Sequence, residues 1–66
     1  QPADLANLAG ALDTLDQLDA RKSQAFALVE LAGFKIEQAA DLLDISRATI
    51  ERDLRFARVW LAARMA

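Results

Sequence analysis

KIEQAADLLDISRATIERDL, residues 35–54, reads as two helices joined by a tight turn. Ile36, Ala39, Ala40 and Leu43 follow at steps of three, one and three, which keeps them on one stripe of a helix running about Ile36–Leu43. Asp44-Ile45-Ser46 then breaks the pattern. Asp44 tolerates a left-handed turn conformation, Ile45 supplies an apolar plug for the corner, and Ser46 is a good N-cap for whatever follows. The second helix restarts at Arg47 and offers Ile50, Leu54, Ala57 and Leu61 to the interior. Ala40 falls where the two helices must approach closely, so a small side chain is required there. These steps describe a helix-turn-helix, whose second helix fits the DNA major groove. A plain αα-hairpin shares the bare pattern.

The continuation is more specific. Residues 49–61, TIERDLRFARVWL, resemble the end of region 4, the C-terminal DNA-binding domain of extracytoplasmic-function (ECF) sigma factors, most closely the ECF-like subgroup. The matching pattern is Thr-hydrophobic-x-Arg-Asp-x-Arg-x-Ala-Arg-x-Trp-Leu. Upstream, AGFKIEQAADLLDIS (Ala32–Ser46) is similar to that family's Gly-hydrophobic-Ser-x-Glu-Glu-hydrophobic-Ala-x-x-Leu-Gly-hydrophobic-Ser. The resemblance covers about residues 18–64. Two positions depart from the pattern. Lys35 stands where the family carries Ser or Thr, which removes a side-chain N-cap at a cost of roughly 1 kcal/mol. Asp44 replaces the turn glycine and gives up some backbone ease.

Length and composition set the frame. Sixty-six residues make one domain, 1–66, with a small core. No run of eighteen apolar residues is present, so no membrane role is expected. Zero Cys removes disulfide staples and fits a reducing cytoplasm. The chain begins at Gln1 without Met and reads as a fragment or mature piece of something longer; the resemblance then implies a promoter-melting domain upstream.

The net charge of −2 is unevenly spread. Residues 1–20 hold Asp4, Asp13, Asp16 and Asp19 and no base, or −4. Residues 21–45 set three bases against four acids, or −1. Residues 46–66 hold Arg47, Arg52, Arg55, Arg58 and Arg64 against Glu51 and Asp53, or +3. The local field is what a polyanion meets, and the positive end coincides with the second helix of the motif.

Two further helices precede the motif, giving an all-α, four-helix domain with a long C-terminal recognition helix. The first runs about Ala3 to Leu15, or on to Leu18, with Leu5, Leu8, Leu12 and Leu15 along one face and Pro2 in its first turn. Asp19 is the expected N-cap of the next, about Ala20–Ala32, and Gly33 its left-handed terminator. That helix presents Ala25, Leu28, Val29 and Ala32, with Phe26 at the edge; Phe34 is expected to close the loop onto the core. The last helix is expected over Arg47–Met65, about 28 Å at 1.5 Å per residue.

Position on the last helix selects the side chains that reach DNA. Opposite Ile50, Leu54, Ala57 and Leu61 stand Ala48, Arg52 and Arg55, with Glu51 on the flank and Arg47 in the first turn. Arginine forks suit guanine O6 and N7, Glu51 is an acceptor for cytosine N4, and Ser46 with the free N–H groups of the helix start suits a phosphate. Glu51 has a competing use, an i,i+4 ion pair with Arg47 or Arg55. Arg58 lies nearer the buried stripe and is expected to snorkel or pair with an acid. Lys35, Gln38, Arg21 and Lys22 complete the phosphate candidates. Phe56, Val59, Trp60 and Ala63 form a second apolar band; the first helix is expected to fold back over Phe56 and Trp60, and the other reading is an exposed patch for another protein.

No enzyme chemistry is indicated. His and Cys are absent, the carboxylates do not gather round a nucleophile, and Gly10 and Gly33 cannot form a phosphate-cradling loop. No cofactor or metal is expected, since no clustered oxygen-ligand loop occurs. The resemblance implies binding to a −35-like promoter element, docking on the β flap of the RNA polymerase core, and possible cover by an anti-sigma factor. The competing readings are a helix-turn-helix of another regulator, such as a response-regulator output domain, and a protein-interaction bundle with a solvated arginine face.

Overall fold

The computed structural model describes residues 2–65, with side chains over 5–65. Asp4, counted above with the acidic N-terminal third, lies outside the described side chains. The fold is all-α: α1 spans Pro2–Leu18, α2 spans Ala20–Phe26 and runs on as a π-helical segment over Ala27–Leu31, α3 spans Ile36–Leu43, and α4 spans Arg47–Met65.

Asp19 stops α1 and starts α2. Its backbone is extended, and Oδ1 accepts the Lys22 N–H at 3.3 Å, which satisfies a donor that the first turn leaves free. The change to π register explains a correction. Ala32 N–H reaches back five residues to the Ala27 carbonyl at 2.9 Å. One residue more per turn rotates the chain, so Ala32, expected on the buried side, is exposed while Ala25 is fully buried. Gly33, at φ 81°, then reverses the chain as expected. Phe34 N–H bonds the Leu28 carbonyl at 2.9 Å, six residues back, a Schellman-type ending widened by the extra π residue. Phe34 does not close onto the core; it remains exposed.

The α3–α4 turn follows the Schellman pattern in full. Asp44 sits at φ 55° and ψ 48°, and its N–H bonds the Asp41 carbonyl at 3.2 Å. Ile45 N–H bonds the Ala40 carbonyl at 3.0 Å, and its side chain packs on the core as the apolar plug of the corner. Asp44 therefore does the work of a left-handed glycine.

The core has two compartments on one helix. Ile50 and Leu54 of α4 meet Ala25, Ala39 and Ala40, with Leu28, Val29, Ile36 and Leu43 packed around them. Further along, Ala57 and Leu61 meet Ala11 and Leu15 of α1, with Leu8, Leu12, Phe26 and Trp60 around them. All four expected α4 residues are buried, and so is Ala40. The small residues Ala25, Ala39, Ala40 and Ala57 let the helices approach closely, while each buried Leu or Ile contributes about 1.5–3 kcal/mol. On α1 the buried set is shifted from the expected one: Ala11 is in and Leu5 is out, 69% exposed. Leu5 lies nearly two turns beyond Ala11, toward the far end of α4, where little remains to cover it.

Candidate nucleic-acid interface

The start of α4 is built by the turn just described. Ser46 Oγ accepts the Thr49 N–H at 3.1 Å and shares a hydrogen bond with Thr49 Oγ1 at 2.9 Å. Ser46 is thus the N-cap, and its hydroxyl is already engaged. What it leaves toward solvent are the N–H groups of the first turn. At the start of α3, Lys35 has no acceptor with which to cap the helix. Gln38 compensates from the other side: its Oε1 accepts the Lys35 N–H at 2.9 Å, one half of a capping box. The Gln38 amide nitrogen keeps its donors.

Lys35, Gln38, Ser46, Arg47, Ala48, Glu51, Arg52 and Arg55 are all exposed. They fall on the two helix starts and on the outer side of α4. Ile36, Glu51 and Arg55 line one shallow groove with Arg58 and Val59, which sets the beginning of α3 beside the second turn of α4. The arginines divide by partner. Arg47 Nη1 donates to Glu37 Oε1 at 2.6 Å and Nε to Glu51 Oε1 at 3.3 Å. Arg58 donates through Nε to Glu30 Oε1 at 3.1 Å and through Nη2 to the same oxygen, the acid pairing expected of it. Arg52, Arg55 and Lys35 make no ion pair among the described residues.

Arg21 and Lys22, candidates for phosphate by sequence, are turned to internal use. Arg21 Nε and Nη2 fork onto Asp53 Oδ2 and Oδ1 at 2.7 and 3.2 Å. Lys22 Nζ donates to Asp19 Oδ2 at 2.7 Å and lies 3.7 Å from Asp53 Oδ1. The bonds to Asp53 raise the Arg21 guanidinium above its ordinary value, and the Lys22 ammonium hydrogen-bonded to Asp19 lowers that carboxyl below its usual range. Sequence reading missed Asp53, which is 2% exposed. A signal was available: Ile50, Asp53, Leu54 and Ala57 repeat the three, one, three spacing of a buried stripe, with a basic pair upstream to neutralise the acid.

The second apolar band is only half covered. Trp60 packs on the α1 compartment, with the Arg64 guanidinium 4.8 Å from its ring centre. Phe56 remains 48% exposed, with Lys22 Nζ 5.2 Å from its ring, and Val59 is more exposed still. The expectation that α1 covers Phe56 is therefore corrected: the buried residues of α1 reach Ala57 and Leu61, and Phe56 projects to one side of that contact. The cations against both rings are a favourable arrangement for exposed aromatics.

Among the described residues no helix is long and apolar enough to cross a membrane, and no group of three or more acids is placed to hold a metal ion. Comparison with known proteins gives one family: its model, described as ECF sigma factor, matches residues 1–66. No curated protein and no solved structure matches the chain.

Proposed function

The chain belongs to the ECF sigma factor family, and from that premise we propose that residues 1–66 are its region 4 domain, which binds a −35-like promoter element through α4. ECF sigma factors are transcription factors rather than enzymes, and their partners are promoter DNA and RNA polymerase. The observation that carries the reading is the pair Arg52 and Arg55. Both are exposed, neither has a carboxylate partner among the described residues, and both stand on the side of α4 away from Ile50 and Leu54. An exposed arginine fork on the outer side of a capped recognition helix is suited to guanine O6 and N7. Ala48, small and one turn ahead of Arg52, leaves room for base edges; Glu51 is the acceptor for cytosine. Lys35, Gln38 and the N–H groups after Ser46 hold phosphates on either side.

The chain works as a tethered module. Few bases face the groove, so few counterions are released and the chain's own affinity is low at physiological salt. The polymerase core supplies the deficit by holding the domain near its site at high effective concentration. The exposed strip of Phe56, Val59 and Ala63 supports a protein contact, with the β flap of the core as first partner and an anti-sigma factor as a competitor for the same domain. This work belongs in the cytoplasm, with the transcription machinery.

The test is a titration of the chain against a promoter duplex carrying the upstream element, beside the same duplex with holoenzyme, at about 150 mM salt. Weak but sequence-dependent binding by the chain and tight binding by holoenzyme are expected. Tight nanomolar binding by the chain alone overturns the tethered reading and favours a self-sufficient, dimeric regulator. No preference for the element over a scrambled duplex overturns the promoter reading.

A further inference from the structure

Arg47 is the first residue of α4, and two carboxylates hold it. Glu37 comes from the first turn of α3 and bonds Nη1 at 2.6 Å; Glu51 comes from the next turn of α4 and bonds Nε at 3.3 Å. All three side chains are half-exposed or more, at 59% for Glu37, 50% for Glu51 and 61% for Arg47. One guanidinium against two carboxylates leaves the tip of α4 with a local charge of −1, and exposed Asp41 and Asp44 lie on the same motif. Arg52 and Arg55, one and two turns further on, carry no such partner. The arginine placed to meet a phosphate first is thus the one the protein keeps occupied.

We infer that Glu37 is a specificity-determining positioning residue, which acts through Arg47 by holding its guanidinium away from the phosphate backbone of unmatched DNA. The inference rests on the DNA-binding reading above. A duplex met at random offers Arg47 only the exchange of one anion for another, and the exchange leaves Glu37 unpaired close to a polyanion. Arg47 therefore adds little to sequence-independent affinity, and discrimination falls to Arg52 and Arg55. Glu37 is the closer of the two acids, at 2.6 Å against 3.3 Å for Glu51. Glu51 remains free to turn toward a base once α4 is seated.

The test uses the chain and a mixed-sequence duplex of about 25 base pairs, with affinity followed over a salt series starting low enough for the native chain to bind. Glu37→Gln removes the charge and keeps the size. It is expected to tighten binding roughly fivefold and to steepen the slope of log affinity against log salt by about one, the signature of one more phosphate contact. Arg47→Ala introduced into the Glu37→Gln background should erase that gain in both affinity and slope. Asp41→Asn is the control: it makes the same change of charge one turn along α3, but Asp41 makes no ion pair among the described residues. Glu37→Ala must move affinity in the same direction as Glu37→Gln. Unchanged affinity and slope for Glu37→Gln overturn the inference, as does an equal gain from Asp41→Asn. Binding by the native chain with those results leaves the DNA-binding reading standing; absence of binding by the native chain and every variant overturns that reading and the inference together.

Discussion

Arg21 and Asp53, thirty-two positions apart, form a forked ion pair in which the acid is buried and the base half-exposed. The pair ties the first turn of α2 to the middle of α4, where Asp53 lies between Ile50 and Leu54 of the first compartment. Its two halves are not equivalent. Asp53→Ala removes the buried charge and leaves Arg21 free to turn into water, a loss of about 1–3 kcal/mol. Arg21→Ala strands a carboxylate with only Lys22 near it, and it is expected to lower the melting temperature further than Asp53→Ala does. The double variant should melt close to Asp53→Ala. Additive losses in chemical denaturation would show that the two residues act independently.

Ala40 is buried, and its carbonyl accepts the Ile45 N–H that closes the turn. Ala40→Leu adds volume where α3 and α4 approach most closely and should cost about 1–3 kcal/mol. For a domain of this size each kcal/mol lowers the midpoint by about 4–8 °C. A thermal melt with an unchanged midpoint would contradict the packing described for this turn.

Asp19 caps α2 and bonds the Lys22 ammonium, which lowers its carboxyl below the usual range. A carboxyl with a depressed folded-state pKa stabilises the fold above its unfolded pKa, and the contribution is lost as pH falls through the folded value. Asp19→Asn keeps a good N-cap but cannot titrate. Its melting temperature should therefore fall less than that of the native chain between neutral pH and the region below about pH 4. Parallel falls for the two proteins would remove Asp19 from the acid response.

Arg52 and Lys35 are expected to fail differently. Arg52→Ala should reduce the preference for the promoter element by about 1–3 kcal/mol if its fork reads a base. Lys35→Ala should weaken matched and scrambled duplexes alike and flatten the salt dependence, as loss of a phosphate contact does. Competition between the two duplexes measures both. Equal losses on both duplexes for Arg52→Ala would make it a backbone contact.

Periodicity was a sound guide wherever one residue type repeats on one face. The α4 stripe, the α3 stripe, the Asp19 and Ser46 caps and the left-handed Gly33 and Asp44 were all legible, since each depends on local spacing or on one backbone conformation. Ala32 was not, because a π turn changes the rotation per residue without altering composition. Leu5 and Phe56 were misplaced for a related reason: spacing says which residues share a face, but the extent of the neighbouring helix decides how much of that face is covered. Among the interface candidates, the exposed positions of Arg47, Arg52 and Arg55 follow from the helical wheel alone. The partners Glu30 and Glu37 do not, because they come from other helices, and Arg21 looks like any exposed base until Asp53 is seen to be buried beside it.

The threading of both apolar compartments on α4 has a consequence for local opening. Ala11 and Leu15 pack with Ala57 and Leu61 in the later half of that helix, and Ala39 and Ala40 of α3 pack with Ile50 and Leu54 in the earlier half. α1 could then swing off while Ile50, Leu54 and the turn stay closed, so amide protons of α1 should exchange with solvent through a lower-energy opening than those around Leu54. The recognition end would outlast the loss of its own N-terminal helix. Fraying at one end of the rod and reading at the other are thus separable events, and the protein can yield in the first without losing its grip in the second.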